Sequence, residues 1–191
     1  EHNYVDLGPL LEIIHQLASN NLIRGKTLII RTTIPIGTSK KIINLLKTTY
    51  NLNEGYDYFY AFVPERLAEG NALYEEEYLP KIVGVYSDNA YNKVIEIFKA
   101  CKCKIFKTKP EEAEFIKLID NSWRATIFAF ANNIALLTEA LNIDITRVIS
   151  LANIDYPRNH IPLPGPVSGY CLTKDPLILA LSIPNNSIVP Y

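Results

Sequence analysis

One cysteine of this sequence stands among residues that could make it a nucleophile. Cys171 lies in Ser168-Gly169-Tyr170-Cys171-Leu172-Thr173-Lys174-Asp175-Pro176, where a glycine-bearing turn precedes the thiol and a lysine and an aspartate follow three and four residues on. If a helix begins near Cys171, Lys174 and Asp175 share its side of that helix. A helix N-terminus and an ammonium both favour thiolate, the nucleophilic form, and a carboxylate can take a proton from water. A small buried Cys in a loop, with a surface Lys and Asp, is the plainer reading of the same segment. Lys117, Asn121 and Arg124, spaced by four and three, fall on one helix face that Asn132 continues. Set among Leu118, Ile119, Trp123, Ile127, Phe128 and Phe130, these polar groups suit a cleft as well as they suit a solvated face. Glu65 and Glu69 follow an apolar stretch ending at Val63-Pro64. At the carboxyl edge of a parallel sheet such a pair can do acid–base work; in a surface turn it does none. Cys101 and Cys103 lack partners at zinc spacing and read as packing residues, so no metal site is expected. His2, His15 and His160 are scattered and support no triad. The glycines, at 8, 25, 37, 55, 70, 84, 165 and 169, nowhere form the close-set turn that brings a backbone against a pyrophosphate.

The elements that must position these residues alternate in type. Leu7, Leu10, Leu11, Ile14, Leu17, Ala18 and Leu22 recur at helical spacing, with Asp6 as cap and Gly25 as stop. The run from Thr27 to Thr33 reads as a buried strand halted at Pro35 and Gly37, followed by a helix over about Ser39 to Thr49. Tyr58 to Val63, Lys81 to Val85 and Lys104 to Lys107 read as further strands, with a helix capped by Ser87 or Asp88 and running through Ala100. Strands alternating with helices imply an α/β fold with a mostly parallel sheet covered on both faces. Thr108-Lys109-Pro110-Glu111 then reads as a capping box, and nothing breaks the helix from there to about Leu141. A helix of about thirty residues spans ~45 Å and usually bridges domains or lines an interface. Asp144 can cap one more helix, to about Ala152, and the four prolines between Tyr156 and Pro166 make a constrained loop.

Composition narrows the classes. The chain has 191 residues, 48% of them hydrophobic and 20% charged, which belongs to folded proteins with a real core. Nineteen basic and 20 acidic residues leave a formal charge of −1, so nucleic acid and anionic membranes are not expected partners. No apolar run is long enough to span a bilayer. Three cysteines do not build a disulfide framework, and a reduced, cytoplasmic location is expected. The sequence opens at Glu1 and contains no methionine, so it is expected to be an internal or incompletely represented piece.

Four segments, in order, resemble the nucleotide-sugar dehydrogenase family, enzymes that oxidise the C6 alcohol of a UDP-sugar to a carboxylate with two NAD. They are Thr32-Thr33-Ile34-Pro35-Ile36-Gly37-Thr38, Pro64-Glu65-Arg66-Leu67-Ala68-Glu69-Gly70, Ala113-Glu114-Phe115-Ile116-Lys117 with Asn121 and Arg124, and Pro164-Gly165-Pro166 leading to Gly169 through Pro176. Pro64-Glu65-Arg66 and the Asn153 to Arg158 segment are more similar to the UDP-N-acetylmannosamine (or N-acetylglucosamine) branch than to UDP-glucose dehydrogenase.

The resemblance implies roles. Cys171 would capture the C6 aldehyde as a thiohemiacetal that is oxidised to a thioester; Lys117 and Asn121 would stabilise the oxyanion. Glu65, with Thr33 and Asp175, would position or deprotonate the hydrolytic water. Thr33 would lie by the cofactor, Lys174 by the cofactor or the sulfur, and Arg124, Glu69 and Gly169 by the substrate. Arg158 resembles an arginine that reaches substrate across a homodimer formed on the long helix. Residues 1–108 would then be the C-terminal part of a Rossmann-like NAD-binding domain, and 109–191 a helical middle domain, used for dimerisation, that ends in the catalytic Cys loop. Without a glycine-rich turn, residues 1–191 alone are not expected to bind NAD usefully. Two departures stand out: Pro166-Val167-Ser168-Gly169 replaces a glycine-richer run, and Asn133 stands where the family usually has Glu. An active UDP-sugar 6-dehydrogenase is therefore weighed against a noncatalytic relative whose scaffold serves assembly, and UDP-glucose is the alternative substrate.

Overall fold

Four short strands, β1 (Thr27–Ile30), β2 (Phe59–Phe62), β3 (Lys81–Gly84) and β4 (Ile105–Thr108), lie side by side in chain order in the computed structural model, which describes residues 5–167 and 169–182. His2 and Ser168 are outside the described residues. Helix α1 (Gly8–Ser19) precedes β1, helices α2 (Thr38–Tyr50), α3 (Ala72–Tyr78) and α4 (Asp88–Phe98) intervene, and α5 (Pro110–Ala140), α6 (Ile145–Asn153) and α7 (Tyr170–Ser182) follow. The fold is α/β with a Rossmann-like sheet and one long helix.

Side-chain alternation along the strands builds two cores. Leu28 and Ile30 of β1 and Tyr60 and Phe62 of β2 pack with Ile14 and Ala18 of α1 and Ile42 and Leu46 of α2. The intervening Ile29, Phe59 and Ala61, with Val63, Val83 and Val85, pack with Ala90, Val94 and Phe98 of α4. The sheet is covered on both faces. β1 pairs with β2 in parallel, as β3 does with β4, but β2 and β3 are antiparallel, meeting at Phe62 and Gly84. Between them α3 buries none of its residues. It is not a crossover helix packed on the sheet, and the chain returns in the opposite direction.

Several boundaries differ from those read in the sequence. β1 ends at Ile30 instead of Thr33, because the chain turns away there toward α2. Asn21, at φ +55°, follows the end of α1, well before Gly25, whose φ of +71° serves the next turn. Leu7 is the N-cap of α1, while Asp6 accepts from Gly8 N–H at 2.8 Å. The cap of α5 uses Glu112, not Glu111. Glu112 accepts Lys109 N–H at 3.0 Å and the Thr108 hydroxyl, while Glu111 accepts from Tyr86. The helix starts one residue later than a Thr108 cap implies, so Glu112 is the residue that faces back. α3 is two turns long and leaves its Leu73, Tyr74 and Tyr78 exposed, too short a run for periodicity to reveal.

The first turn of α5 sits hard against the end of β3. A Cβ on Gly84 would lie 2.7 Å from Pro110 Cα and 2.9 Å from Ala113 Cβ, so only glycine admits this approach. The described residues up to Lys117 form one compact unit and those from Leu118 another, the division falling inside α5. In the second unit Leu118, Ala131, Ile149, Leu172, Ile178, Leu179 and Ala180 are buried, with Asn121, Thr138 and Asp175 as buried polar groups. Among the described residues no helix is long and apolar enough to cross a membrane.

An ionic cluster fastens α3 to the sheet. Arg31 grips Glu76 with two 3.0 Å hydrogen bonds, and Lys81, 4% exposed, reaches the same carboxylate at 2.9 Å. Burial by itself would raise Glu76, but the Arg31 and Lys81 hydrogen bonds outweigh it and hold the carboxyl below its ordinary value near 4.5. A carboxylate with a lowered folded pKa stabilises the fold above its unfolded value, and that contribution is lost as pH falls through the folded one. Glu76→Gln should therefore destabilise the protein by about 1–3 kcal/mol at pH 7, since it strands the Lys81 ammonium, and by clearly less at pH 4. Urea denaturation at the two pH values checks this; an equal loss at both refutes the assignment.

Candidate active site

In the first unit, the carboxyl ends of β1 and β2 continue past the strands as a short ladder. Val63 N–H donates to Ile30 O at 2.9 Å, and Glu65 N–H to Arg31 O at 3.3 Å. Thr33 and Glu65 thus emerge together at the edge where open α/β sheets take their ligands. Glu65 is exposed and its carboxylate accepts from Leu67 N–H, while Thr33 is half-buried. Glu69 stands exposed in the turn before Gly70 and takes no part in this ladder.

Thr33 leads into a turn that a residue far along the chain closes. Gly37, at φ +87°, is the N-cap of α2 and has no side chain to cap with. Glu114 of α5 supplies the missing oxygens. It accepts Gly37 N–H at 2.5 Å, Ser39 N–H at 2.8 Å and the Ser39 hydroxyl at 2.6 Å, and Tyr60 donates to that hydroxyl at 2.8 Å. Glu114 is fully buried, and burial pushes its carboxyl above the ordinary range against the hydrogen bonds from Ser39 and Gly37. Local sequence marks Glu114 only as an acid beside apolar residues at the start of a helix. One turn further along α5, Lys117 is 9% exposed, and its ammonium has no hydrogen-bond or ion-pair partner among the described residues. A largely buried lysine whose ammonium still reaches solvent and has no counter-charge is a ready partner for an anion.

In the second unit α7 begins at Tyr170, so Cys171 lies in its first turn, exposed to solvent. Gly169, at φ +111°, makes the entry to the helix. One turn beyond Cys171, Asp175 is fully buried. Asn121 of α5 donates to its Oδ2 at 2.6 Å, and Lys174 contacts its Oδ1 at 2.8 Å. The structure thus brings Asn121, Asp175 and Lys174 together. The Lys174 ammonium is committed to that carboxylate, and it also lies 5.8 Å from the centre of the Tyr170 ring. The Asn121 amide nitrogen keeps a second N–H beyond the one given to Asp175. Pro176, inside α7, has no N–H to return to Leu172 O, a carbonyl in the first turn with Cys171.

The loops around this helix are held by asparagine side chains. Asn132 makes two hydrogen bonds with the backbone of Gly165, at 3.0 and 2.8 Å, and so fixes the Pro164-Gly165 turn. Asn153 does the same for Ile161, at 2.9 and 3.1 Å. Between Asn153 and Ile161, Arg158 folds over the ring of Tyr156, 4.3 Å from its centre, with hydrogen bonds of 2.9 and 2.5 Å to the phenol oxygen. Arg124 is exposed on α5, as is Asn133. Among the described residues no three His, Cys, Asp or Glu side chains gather as a metal site.

Comparison with known proteins gives this arrangement its context. Residues 1–102 match the NAD binding domain of the UDP-glucose/GDP-mannose dehydrogenase family, and residues 111–190 match that family's central domain. The UDP-N-acetyl-D-mannosamine dehydrogenase of Pyrococcus horikoshii is 39% identical over 158 residues, which are 82% of this chain and 38% of that protein. The NDP-N-acetyl-D-galactosaminuronic acid dehydrogenase of Ralstonia solanacearum is 28% identical over 175 residues, 86% of this chain and 41% of that protein. A solved structure of the Pyrococcus horikoshii UDP-D-ManNAc dehydrogenase superposes with a TM-score of 0.86 at 37% identity, covering 92% of this chain and 42% of the other. The chain thus spans about two-fifths of the length of the relatives it matches. Two family domains in their proper order, on a fold that superposes this well, leave one conclusion: the chain belongs to the UDP-glucose/GDP-mannose dehydrogenase family.

Proposed function

We propose that this chain is part of an NAD-dependent UDP-sugar 6-dehydrogenase that prefers a UDP-N-acetylhexosamine, in the first place the manno isomer. One observation carries the reading: an exposed thiol in the first turn of α7, one turn ahead of a buried aspartate held by Asn121 and Lys174. In this reading residues 1–108 belong to the NAD-binding domain and 109–191 to the middle domain. NAD supplies the acceptor for hydride in both oxidations. At the carboxyl edge of β1 and β2, Thr33 is the residue fit to hold it, with Lys174 as a second contact. The pyrophosphate turn is not among these residues.

The chain's own work follows from its functional groups. The Cys171 thiolate adds to the C6 aldehyde carbon, and the carbonyl oxygen becomes an alkoxide. In this reading the Lys117 ammonium and the remaining Asn121 N–H would stabilise that charge, which is absent in the ground state, so they would act on the barrier more than on binding. After oxidation to the thioester, Glu65, with Thr33 and Asp175, positions water and takes its proton; the carboxylate leaves and the thiol is restored. Arg124, Glu69 and Gly169 contact the substrate, and Arg158 reaches the substrate of a second copy. A cytoplasmic location accords with three free thiols.

The preference for an N-acetylhexosamine rests on Pro64-Glu65-Arg66 and the Arg158 loop, together with the names borne by the relatives above. Initial rates of NADH formation test it. The specificity constant for UDP-N-acetylmannosamine should exceed that for UDP-glucose by roughly tenfold or more, and the reverse order overturns the assignment.

The pairing of two copies is likewise a proposal. Along α5, Trp123, Phe130 and Leu137 recur every seven residues and are 65%, 54% and 66% exposed, flanked by half-buried Ile127 and Ile134. A monomer rarely leaves such a stripe in water. Light scattering at tens of micromolar is expected to give the mass of a dimer, and Trp123→Glu to shift it toward the monomer; a folded, strictly monomeric parent refutes the proposal.

A further inference from the structure

Glu114 is a fully buried carboxylate that accepts from two backbone N–H groups and a hydroxyl. Its position joins two parts of the chain that the proposed reaction needs held still. On one side is the turn from Thr33 to Gly37, closed by Thr38, whose hydroxyl donates to Pro35 O at 2.7 Å. On the other is the second turn of α5, three residues before Lys117. A helix N-terminus normally finds its acceptor in its own N-cap side chain; α2 has glycine there and so depends on a carboxylate 77 positions away. The other end of the contact is rigid. Ala113 is buried in the core that α1 and α2 share with the sheet, and the close approach at Gly84 fixes the first turn of α5.

We infer that Glu114 is a positioning residue, a cap in trans to α2 that fixes the Thr33 turn and Lys117 in one frame. The inference rests on the reading of Thr33 as a cofactor contact and of Lys117 as an oxyanion partner. A carboxylate serves here because it accepts three donors at once with two oxygens. A glutamine can accept from Ser39 through its carbonyl oxygen, but it turns an N–H toward Gly37 N–H, so it restores only part of the cap.

The experiment uses the whole protein and compares Glu114→Ala, Glu114→Gln and Val94→Ala, the last a cavity variant in the α4 core that touches neither group. Amide hydrogen exchange is followed at Gly37 and Ser39, together with thermal stability, KM for NAD and for the UDP-sugar, and kcat. Glu114→Ala should speed exchange at Gly37 and Ser39 and lower kcat/KM for NAD by roughly one to two orders of magnitude, with KM for the UDP-sugar within about twofold of the parent. Glu114→Gln should fall between it and the parent. Val94→Ala should lose comparable thermal stability without either change. If Glu114→Ala does no more than Val94→Ala, Glu114 is only a packing residue and the inference fails. Should Glu114→Ala not fold, Ser39→Ala removes one of the three hydrogen bonds and must show the same changes at smaller size; no change refutes the inference. A parent that oxidises no UDP-sugar overturns the proposed function, while the exchange at Gly37 and Ser39 still decides whether Glu114 holds the turn.

Discussion

Cys171→Ser is expected to leave the fold intact and to lower kcat by at least about three orders of magnitude. The side chain is exposed, so no packing is lost, and an oxygen in place of sulfur fits the same space. The chemistry does not survive the change. A serine hydroxyl is a far weaker nucleophile at neutral pH, and an oxygen ester neither forms nor hydrolyses as readily as a thioester. Cys101 and Cys103 provide controls within the same chain. Both are half-buried, and burial followed by the neighbouring Cys103 raises the Cys101 thiol. A small alkylating agent near neutral pH should therefore label Cys171 first, and loss of activity should follow that labelling, as read by mass spectrometry of quenched samples. A Cys171→Ser protein that turns over like its parent removes the covalent mechanism.

The second large effect is expected at Lys117. Lys117→Ala should reduce kcat by about 10²–10³, roughly 3–4 kcal/mol, with KM for the UDP-sugar changed by much less. The physical ground is an ammonium without a counter-charge at the open end of a largely buried side chain, so it gains most when an alkoxide forms beside it. Asn121→Ala should cost activity on a similar scale but is less clean, because it also takes a donor from the buried Asp175 carboxylate. The outcome that counts against Lys117 is a rise in KM with kcat unchanged, the mark of a group that binds substrate and transition state alike. Steady-state kinetics at saturating NAD separates the two.

How far each feature can be read without coordinates depends on the range of the forces behind it. Alternating strands and helices, the cap of α6 by Asp144, and the long uninterrupted α5 all follow from neighbours within a few residues. Periodicity, β-branched runs, proline and glycine encode them locally, and the structure has them within a residue or a few. The same holds for the spacing of Cys171, Lys174 and Asp175, which only needs a helix to begin where Gly169 ends the loop. The antiparallel turn of β2 against β3 is of another kind. It goes with an α3 that buries none of its residues, and a seven-residue helix is too short to leave a periodic trace.

Polar pairing lies furthest from local pattern. Asn121 with Asp175, Asn132 with Gly165, Arg31 with Glu76, and above all Glu114 with the α2 cap join residues far apart in sequence. The chemical capacity of each group is written in its residue type: a thiol, an ammonium, a carboxylate. Which donor meets which acceptor, and whether water is excluded when they meet, is set by close packing of distant segments. Gly84 shows the link, since the absence of one Cβ lets α5 settle on the sheet and so brings Glu114 to its donors. Residue types and short-range spacing thus determine the kinds of chemistry available to this protein and the elements that carry them. Burial, the unpaired charge on Lys117 and the choice of hydrogen-bond partners are decided only when the folded chain sets those groups against their neighbours, because a polar group's energy depends on its surroundings more than on its identity.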